Sequence, residues 1–142
     1  MNIIFDLDGT LIDSSTGILS AIGMAFEKCN VTLHEPLTNK LIGPPLDKLL
    51  PILAKSNDRA VITLLTDAFK EKYDSEGYKE TVIFSGIVEM LEQLSVQGHS
   101  LYLATNKRII PTRKIIKYFA WGDLFKEVYA LDLFPQTKNK AE

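Results

Sequence analysis

Two aspartates, Asp6 and Asp8, follow the first apolar segment of the chain and are the residues best suited to chemistry. They are spaced two residues apart, so an extended backbone would direct both carboxylates to the same side. Gly9 follows them and can adopt dihedral angles closed to other residues, which lets the chain leave the strand. Two such acids repel each other unless a cation or a shared proton intervenes. Mg²⁺ takes oxygen ligands and bridges carboxylate to phosphate, so it is the natural partner.

The segment that must position these acids is Asn2–Phe5, a short and almost wholly apolar run. Its composition predicts a strand that is buried on both faces, as in a parallel sheet covered by helices. The carboxyl ends of such strands form the ligand crevice of α/β folds. The sequence therefore predicts an acidic site at the end of the first strand. The alternative is a solvated Asp-Gly turn.

Residues 14–76 carry apolar side chains at helical spacing and show no strand signal. We expect helices over about 15–29 and up to about residue 75, followed by a return linker over 77–81. Capping chemistry at Ser56-Asn57-Asp58 is expected to start the last of these helices. The side chains that we expect to be buried in this helical module are Ile18, Ile22, Phe26, Leu64, Leu65 and Phe69.

Beyond the linker, helices and strands alternate. Ser85 is expected to cap a helix, Ser100 to Ala104 form an apolar strand, and Pro111 fits the first turn of another helix. Glu127 to Leu131 are predicted to form a third strand. The order is strand, helical insert, helix, strand, helix, strand, which indicates a parallel α/β core interrupted after its first strand.

The segment from Asp6 to Ser14 reads Asp-Leu-Asp-Gly-Thr-Leu-Ile-Asp-Ser. It closely resembles the first motif of the haloacid dehalogenase superfamily. The rest of the chain resembles phosphatases of that superfamily with a small helical cap, phosphoglycolate phosphatase-like members above all. The resemblance implies a Rossmann-like parallel sheet core over 1–13 and 82–142, and an all-helical cap over 14–81.

The same resemblance implies roles for individual residues. Asp6 would be the nucleophile and Asp8 the proton carrier, and Mg²⁺ would be held by Asp6 and by the backbone carbonyl of Asp8. Gly9 and Thr10 would contribute to phosphate binding. Leu-Tyr-Leu-Ala-Thr-Asn, which ends at Thr105 and Asn106, resembles the second motif, a strand that ends in a hydroxyl residue and binds a phosphoryl oxygen.

The third motif of the family is a lysine that neutralises charge at the nucleophile. Lys138 and Lys140 both stand at a suitable position, and Lys140, followed closely by an acid, fits the pattern better. The fourth motif, an acidic pair that completes the metal site, has no counterpart, since Asp132 does not match its position. We therefore expect a piece of a longer protein whose last core strands are missing, or a chain whose open sheet edge a partner covers.

The resulting hypothesis is a Mg²⁺-dependent phosphatase that hydrolyses a small phosphorylated metabolite through an aspartyl-phosphate. Asp8 argues against a dehalogenase, whose leaving group needs no proton at that place. A phosphomutase or a pyrophosphatase on the same core stays open. So does an inactive fragment that lacks the fourth motif.

Composition narrows the possible partners. The chain has 142 residues, a net charge of −2 and no basic stripe, so nucleic acid is not expected. No apolar stretch approaches the roughly 20 residues of a membrane span, and no export signal is visible, so the cytoplasm is expected. The single cysteine, Cys29, excludes an intramolecular disulfide. Lys107, Arg108 and Arg113 are interpreted as solvated charges, with contact between one of them and the substrate as the alternative.

Overall fold

The computed structural model describes residues 1–133. The chain folds into two compact units, one made of residues 1–14 with those from 81 onward and the other of residues 15–80. We call them the sheet unit and the helical unit. The predicted cap range, 14–81, exceeds the helical unit by one residue at each end. No helix within the described residues is both long and apolar enough to cross a membrane.

The helices and strands follow one another in an α/β order. They are β1 (Asn2–Phe5), β2 (Ile12–Asp13), α1 (Ser15–Lys28), α2 (Leu46–Ala54), α3 (Arg59–Ser75), β3 (Val82–Ile83), α4 (Ile87–Val96), β4 (Ser100–Thr105), α5 (Ile109–Tyr118) and β5 (Phe125–Ala130). Short 3₁₀ turns cover Asn39–Leu41, Gly77–Glu80 and Leu131–Leu133.

The main sheet is parallel, in the order β1-β4-β5. Asn2 lies opposite Ser100 and Phe5 opposite Leu103, so β1 and β4 run in step to their carboxyl ends. The loops that follow these two strands therefore emerge side by side. This parallel sheet with helices between its strands confirms the predicted fold class.

β1 differs from the prediction of a strand buried on both faces. Ile3 and Phe5 are half-buried, whereas Asn2 and Ile4 are exposed, Ile4 to 67%. The described residues thus cover one face of β1 and leave the other open. β1 also stands at an outer position of the sheet, with β4 as its one neighbour in the described part of the chain. This is the open edge that the sequence led us to expect.

A second, two-stranded sheet was missed by the sequence reading. It consists of β2, which pairs antiparallel with β3. Ile12 lies opposite Ile83 and is fully buried. Strands of two residues are too short to show the alternation by which strands are recognised.

The helical unit has an apolar core of its own, and residues 15–76 contain no strand, as predicted. The core includes Ile22, Phe26, Leu65 and Phe69, all buried. Ile18 is half-buried at its margin. Other buried members are Ala21, Ala25, Leu49, Leu50, Leu53, Ala54, Ala68 and Tyr73.

Leu64 was wrongly predicted to be buried, since 60% of it is exposed. Consecutive helical residues point about 100° apart, and α3 turns the face with Leu65, Ala68 and Phe69 inward. Leu64 shares the helical spacing of that face but lies at its margin. Periodicity alone could not decide which of the two leucines is central.

The helix starts were predicted with mixed success. The Asp58 carboxylate accepts a hydrogen bond of 2.9 Å from the Ala60 amide and caps α3, as expected. The expected cap at Ser85 is wrong, because Gly86 directly precedes α4, at a φ of +82°, without a side-chain cap. A left-handed glycine makes the chain turn there without help from the serine.

The two adjacent leucines of α3 give a matched test of this core. Leu65→Ala is expected to lower the free energy of unfolding by about 2–5 kcal/mol, because it opens a cavity in a packed core. Leu64→Ala should change it by no more than about 0.5 kcal/mol, since that side chain is largely in water already. Urea unfolding followed by circular dichroism measures both, and equal losses would contradict the assigned faces.

A close approach of two glycines joins α1 to the turn at residues 77–80. A Cβ atom on Gly17 would overlap the carbonyl oxygen of Gly77. Gly17→Ala should therefore destabilise the helical unit by about 1–3 kcal/mol through overpacking. Gly23→Ala in the same helix is the control, because its Cβ would meet the flexible Leu37 Cδ1 at 3.2 Å. Equal midpoints of urea unfolding for the two variants would contradict this packing.

Candidate active site

The loop after β1 is a tight turn closed by its own backbone. The Leu7 carbonyl accepts hydrogen bonds from the amides of Thr10, Leu11 and Ile12, at 3.2, 2.9 and 3.3 Å. Gly9 has a φ of +79°, in the left-handed region, and its amide donates to the Ile12 carbonyl at 2.9 Å. The turn thus depends on a conformation that glycine adopts without strain.

Burial alternates along this loop. Leu7 is fully buried, while Asp6 is exposed and Asp8 is half-buried. Leu7 anchors the loop in the core and leaves both carboxylates accessible. The Leu7 amide donates a hydrogen bond of 2.8 Å to Asp6 Oδ1, which orients that carboxylate.

Asp8 is held by two side chains from different parts of the chain. Ser14 Oγ donates to Asp8 Oδ1 at 2.6 Å. Lys107 Nζ lies 3.2 Å from Asp8 Oδ2 and 3.4 Å from Oδ1. Only 7% of the Lys107 side chain is exposed, against 30% for Asp8. An ammonium group and a hydroxyl therefore fix the orientation of the carboxylate.

The interpretation of Lys107 as a solvated charge is wrong. Its position follows from the parallel pairing of β1 with β4, which brings the loops after both strands together. Lys107 stands 99 residues from Asp8 along the chain, so no local pattern in the sequence could show the contact.

The end of β4 shapes the same region. Thr105 is 2% exposed, and its hydroxyl oxygen accepts a hydrogen bond of 3.1 Å from the Lys107 amide. This bond fixes the turn after β4 and with it the start of the Lys107 side chain. Asn106 between them is exposed.

The remaining sequence-predicted residues are placed as follows. Gly9 and Thr10 are exposed, but their amides already donate to backbone carbonyls. Asp132 accepts a hydrogen bond of 2.9 Å from the Ile109 amide at the start of α5. It thus acts at a helix end and not as a member of this site. Lys138 and Lys140 lie outside the described residues.

The oxygen donors of this site suit Mg²⁺ in kind. The Asp6 carboxylate and the Asp8 carbonyl are oxygen donors on one loop, and Mg²⁺ in proteins commonly keeps several waters beside one or two protein ligands. Among residues 1–133, no group of three or more His, Cys, Asp or Glu residues could hold a metal ion. The two aspartates therefore fit a hydrated magnesium ion and supply part of its ligands.

Several known proteins are similar to this chain. Residues 3–142 match the family model of haloacid dehalogenase-like hydrolases. A 5'-nucleotidase from Pseudomonas aeruginosa is 35% identical over 144 residues, which cover 99% of this chain and 64% of the nucleotidase. Tyrosine-protein kinase PtkA from Mycobacterium tuberculosis is 32% identical over 129 residues, which cover 89% of this chain and 43% of the kinase.

A solved structure from Clostridium difficile superimposes on this chain with a TM-score of 0.83 at 30% sequence identity. The match covers 98% of this chain and 64% of the Clostridium difficile chain. Phosphoglycolate phosphatases are also among the relatives, at 28% identity. The chain spans less than two thirds of the length of all these proteins. The family model nevertheless matches nearly all of this chain, which confirms that the motif from Asp6 to Ser14 resembles the haloacid dehalogenase superfamily. The chain belongs to the haloacid dehalogenase-like hydrolase family.

Proposed function

We propose that this chain carries the reaction centre of a phosphatase that hydrolyses a phosphate monoester of a small metabolite. The observation that carries the proposal is the pair of accessible aspartates after β1, with a lysine from the loop after the neighbouring strand beside the second. Family membership and relatives named as phosphatases and a nucleotidase support it.

Asp6 is proposed as the nucleophile. One of its carboxylate oxygens attacks phosphorus, the bond from phosphorus to the ester oxygen breaks, and Asp8 gives its proton to the departing oxygen. In the second half, a water molecule passes a proton to Asp8 and attacks the phosphorus of the aspartyl-phosphate. The bond to Asp6 then breaks, inorganic phosphate leaves, and both aspartates return to their starting state.

Mg²⁺ would be held at Asp6 and Asp8, where it would offset the repulsion between carboxylate and phosphoryl oxygens. The Asn106 side chain and the Thr10 hydroxyl are proposed as donors to the phosphoryl oxygens, at the ends of the two loops that meet here. Thr105 and Gly9 support those loops from within. Lys140, with Lys138 as the alternative, is proposed as the third-motif lysine.

The substrate class is proposed from the names of the relatives. A nucleoside 5'-monophosphate and 2-phosphoglycolate are the first substrates to test, since relatives are named 5'-nucleotidase and phosphoglycolate phosphatase. The helical unit is proposed as the cap that selects among them. Because another relative is named a tyrosine kinase, transfer to an acceptor other than water is a second candidate. A phosphomutase and a pyrophosphatase are the further alternatives on the same core.

Asp6→Asn should lower the rate of phosphate release from p-nitrophenyl phosphate by about 1,000-fold or more, because an amide is a much weaker nucleophile toward phosphorus than a carboxylate. Asp8→Asn should lower turnover by about 100-fold or more through loss of the proton carrier. Asp123→Asn, at an exposed aspartate of the sheet unit, is the control and should leave turnover unchanged.

Both this chain and a longer natural version should be assayed, with circular dichroism to show that each variant folds. Near-normal turnover by purified Asp6→Asn would exclude the covalent mechanism. Phosphate release by the longer version alone would assign this chain to the class of incomplete, inactive fragments.

Removal of Mg²⁺ gives an independent prediction. EDTA should stop phosphate release by the active version, and added Mg²⁺ should restore it, because the Asp6 carboxylate and the substrate phosphate are both negative and repel each other. Restoration of activity by Mg²⁺ is compared with restoration by Ca²⁺ at the same concentration, since Ca²⁺ prefers more ligands than Mg²⁺ and binds them at longer distances. Full activity in EDTA would contradict a role for the metal.

A further inference from the structure

Lys107 is placed in an unusual way for a lysine in a loop. Such a side chain normally extends its ammonium group into water, yet only 7% of this one is exposed. Burial of a charge is unfavourable unless the charge is paired and hydrogen-bonded. Lys107 meets that condition through both carboxylate oxygens of Asp8, at 3.2 and 3.4 Å.

A surface ion pair of the helical unit, between Lys28 and Glu71, shows the difference. Lys28 and Glu71 are 3.1 Å apart, but their side chains are 64% and 73% exposed. Exposed pairs of this kind hold their partners only loosely, since water and salt compete for both charges. The Lys107–Asp8 pair is shielded on the lysine side, so it constrains the direction of the carboxylate more firmly.

Ser14 completes the constraint from another direction. Its side chain is among the few buried polar ones, at 3% exposure, and its hydroxyl donates to Asp8 Oδ1 at 2.6 Å. Ser14 directly follows β2, whose partner β3 fixes the backbone there. The two contacts on Asp8 thus come from residues that closely follow paired strands, Ser14 after β2 and Lys107 after β4.

We propose that Lys107 and Ser14 are positioning residues that hold the Asp8 carboxylate in one orientation for proton transfer. This inference rests on the proposed phosphatase reaction, in which Asp8 must reach the leaving oxygen and then the water. Proton transfer falls steeply when donor and acceptor leave hydrogen-bond reach, so a fixed carboxylate supports turnover more than substrate binding.

The test combines a stability measurement with kinetics. Lys107→Met removes the ammonium group and keeps an apolar stem, Lys107→Arg keeps a charge, and Ser14→Ala removes the hydroxyl. Lys117→Met is the matched control, because Lys117 is an exposed lysine of α5. Each variant is made in this chain and in the longer natural version.

A double-mutant cycle first asks whether the contact holds Asp8. Lys107→Met should lower the folding equilibrium constant at least fivefold more in the native sequence than in the Asp8→Asn background. Lys117→Met should show no such difference. Equal effects of Lys107→Met in both backgrounds would overturn the inference whether or not the protein is an active phosphatase.

Kinetics on p-nitrophenyl phosphate then ask whether the contact serves turnover. We expect Lys107→Met and Ser14→Ala to lower kcat about 10- to 100-fold with KM changed less than about threefold, and Lys107→Arg to recover much of kcat. An increased KM at unchanged kcat would overturn the inference, because Lys107 would then bind substrate. Unchanged kcat and KM would overturn it as well.

The two proposals fail in different ways. Turnover that depends on Asp6 but not on Lys107 leaves the phosphatase proposal standing and removes only the positioning role. Absence of any turnover that depends on Asp6 removes the phosphatase proposal and the positioning role with it. The double-mutant cycle would in that case still show whether Lys107 restrains Asp8.

Discussion

The parallel pairing of β1 with β4 is the constraint on which the candidate site depends. It brings the loop with Asp6 and Asp8 beside the loop with Thr105 and Lys107, although nearly a hundred residues separate them. The contact between Asp8 and Lys107 needs both loops, because each loop supplies one of the two residues. The turn after β1 exposes two carboxylates that repel each other, and the turn after β4 carries a lysine that would otherwise extend into water. The pairing of the strands places the Lys107 ammonium group beside the Asp8 carboxylate, and this opposite charge reduces the repulsion between the two aspartates.

The ion pair that results is best understood as a means of orientation. Pairs of this sort add little to stability when compared with apolar side chains of the same volume, while loss of one partner leaves a buried charge behind. Asp8 is partly exposed, so water reduces the attraction between the two charges. What the pair does secure is a direction for the carboxylate, because Lys107 contacts both oxygens and Ser14 one of them.

The sequence predicted the elements and motifs that depend on residues close together in the chain. The apolar run before Asp6 predicted β1, helical spacing predicted α1 to α3, and the motif from Asp6 to Ser14 predicted the family. It did not predict features that depend on distant residues or on very short elements. The contact of Lys107 arises from strand pairing, and β2 consists of two residues that pair only with β3.

Errors of burial have a different cause. Leu64 and Leu65 both fit the apolar stripe of α3, and only the packing of α1 and α2 around it selects Leu65. Ile4 belongs to an apolar strand, but what covers a strand depends on elements elsewhere in the fold. Periodicity gives the direction of side chains relative to one another. It cannot say which direction meets a partner.

The separation of the chain into two units bears on how specificity arises. Ser14 and Lys107, whose side chains hydrogen-bond to Asp8, belong to the sheet unit, and the helical unit has a core of its own. Relatives that share this chain's sequence over most of its length carry names as different as nucleotidase, kinase and phosphoglycolate phosphatase. We infer that Asp6 and Asp8 set the phosphoryl chemistry, and that residues outside their immediate surroundings select the substrate.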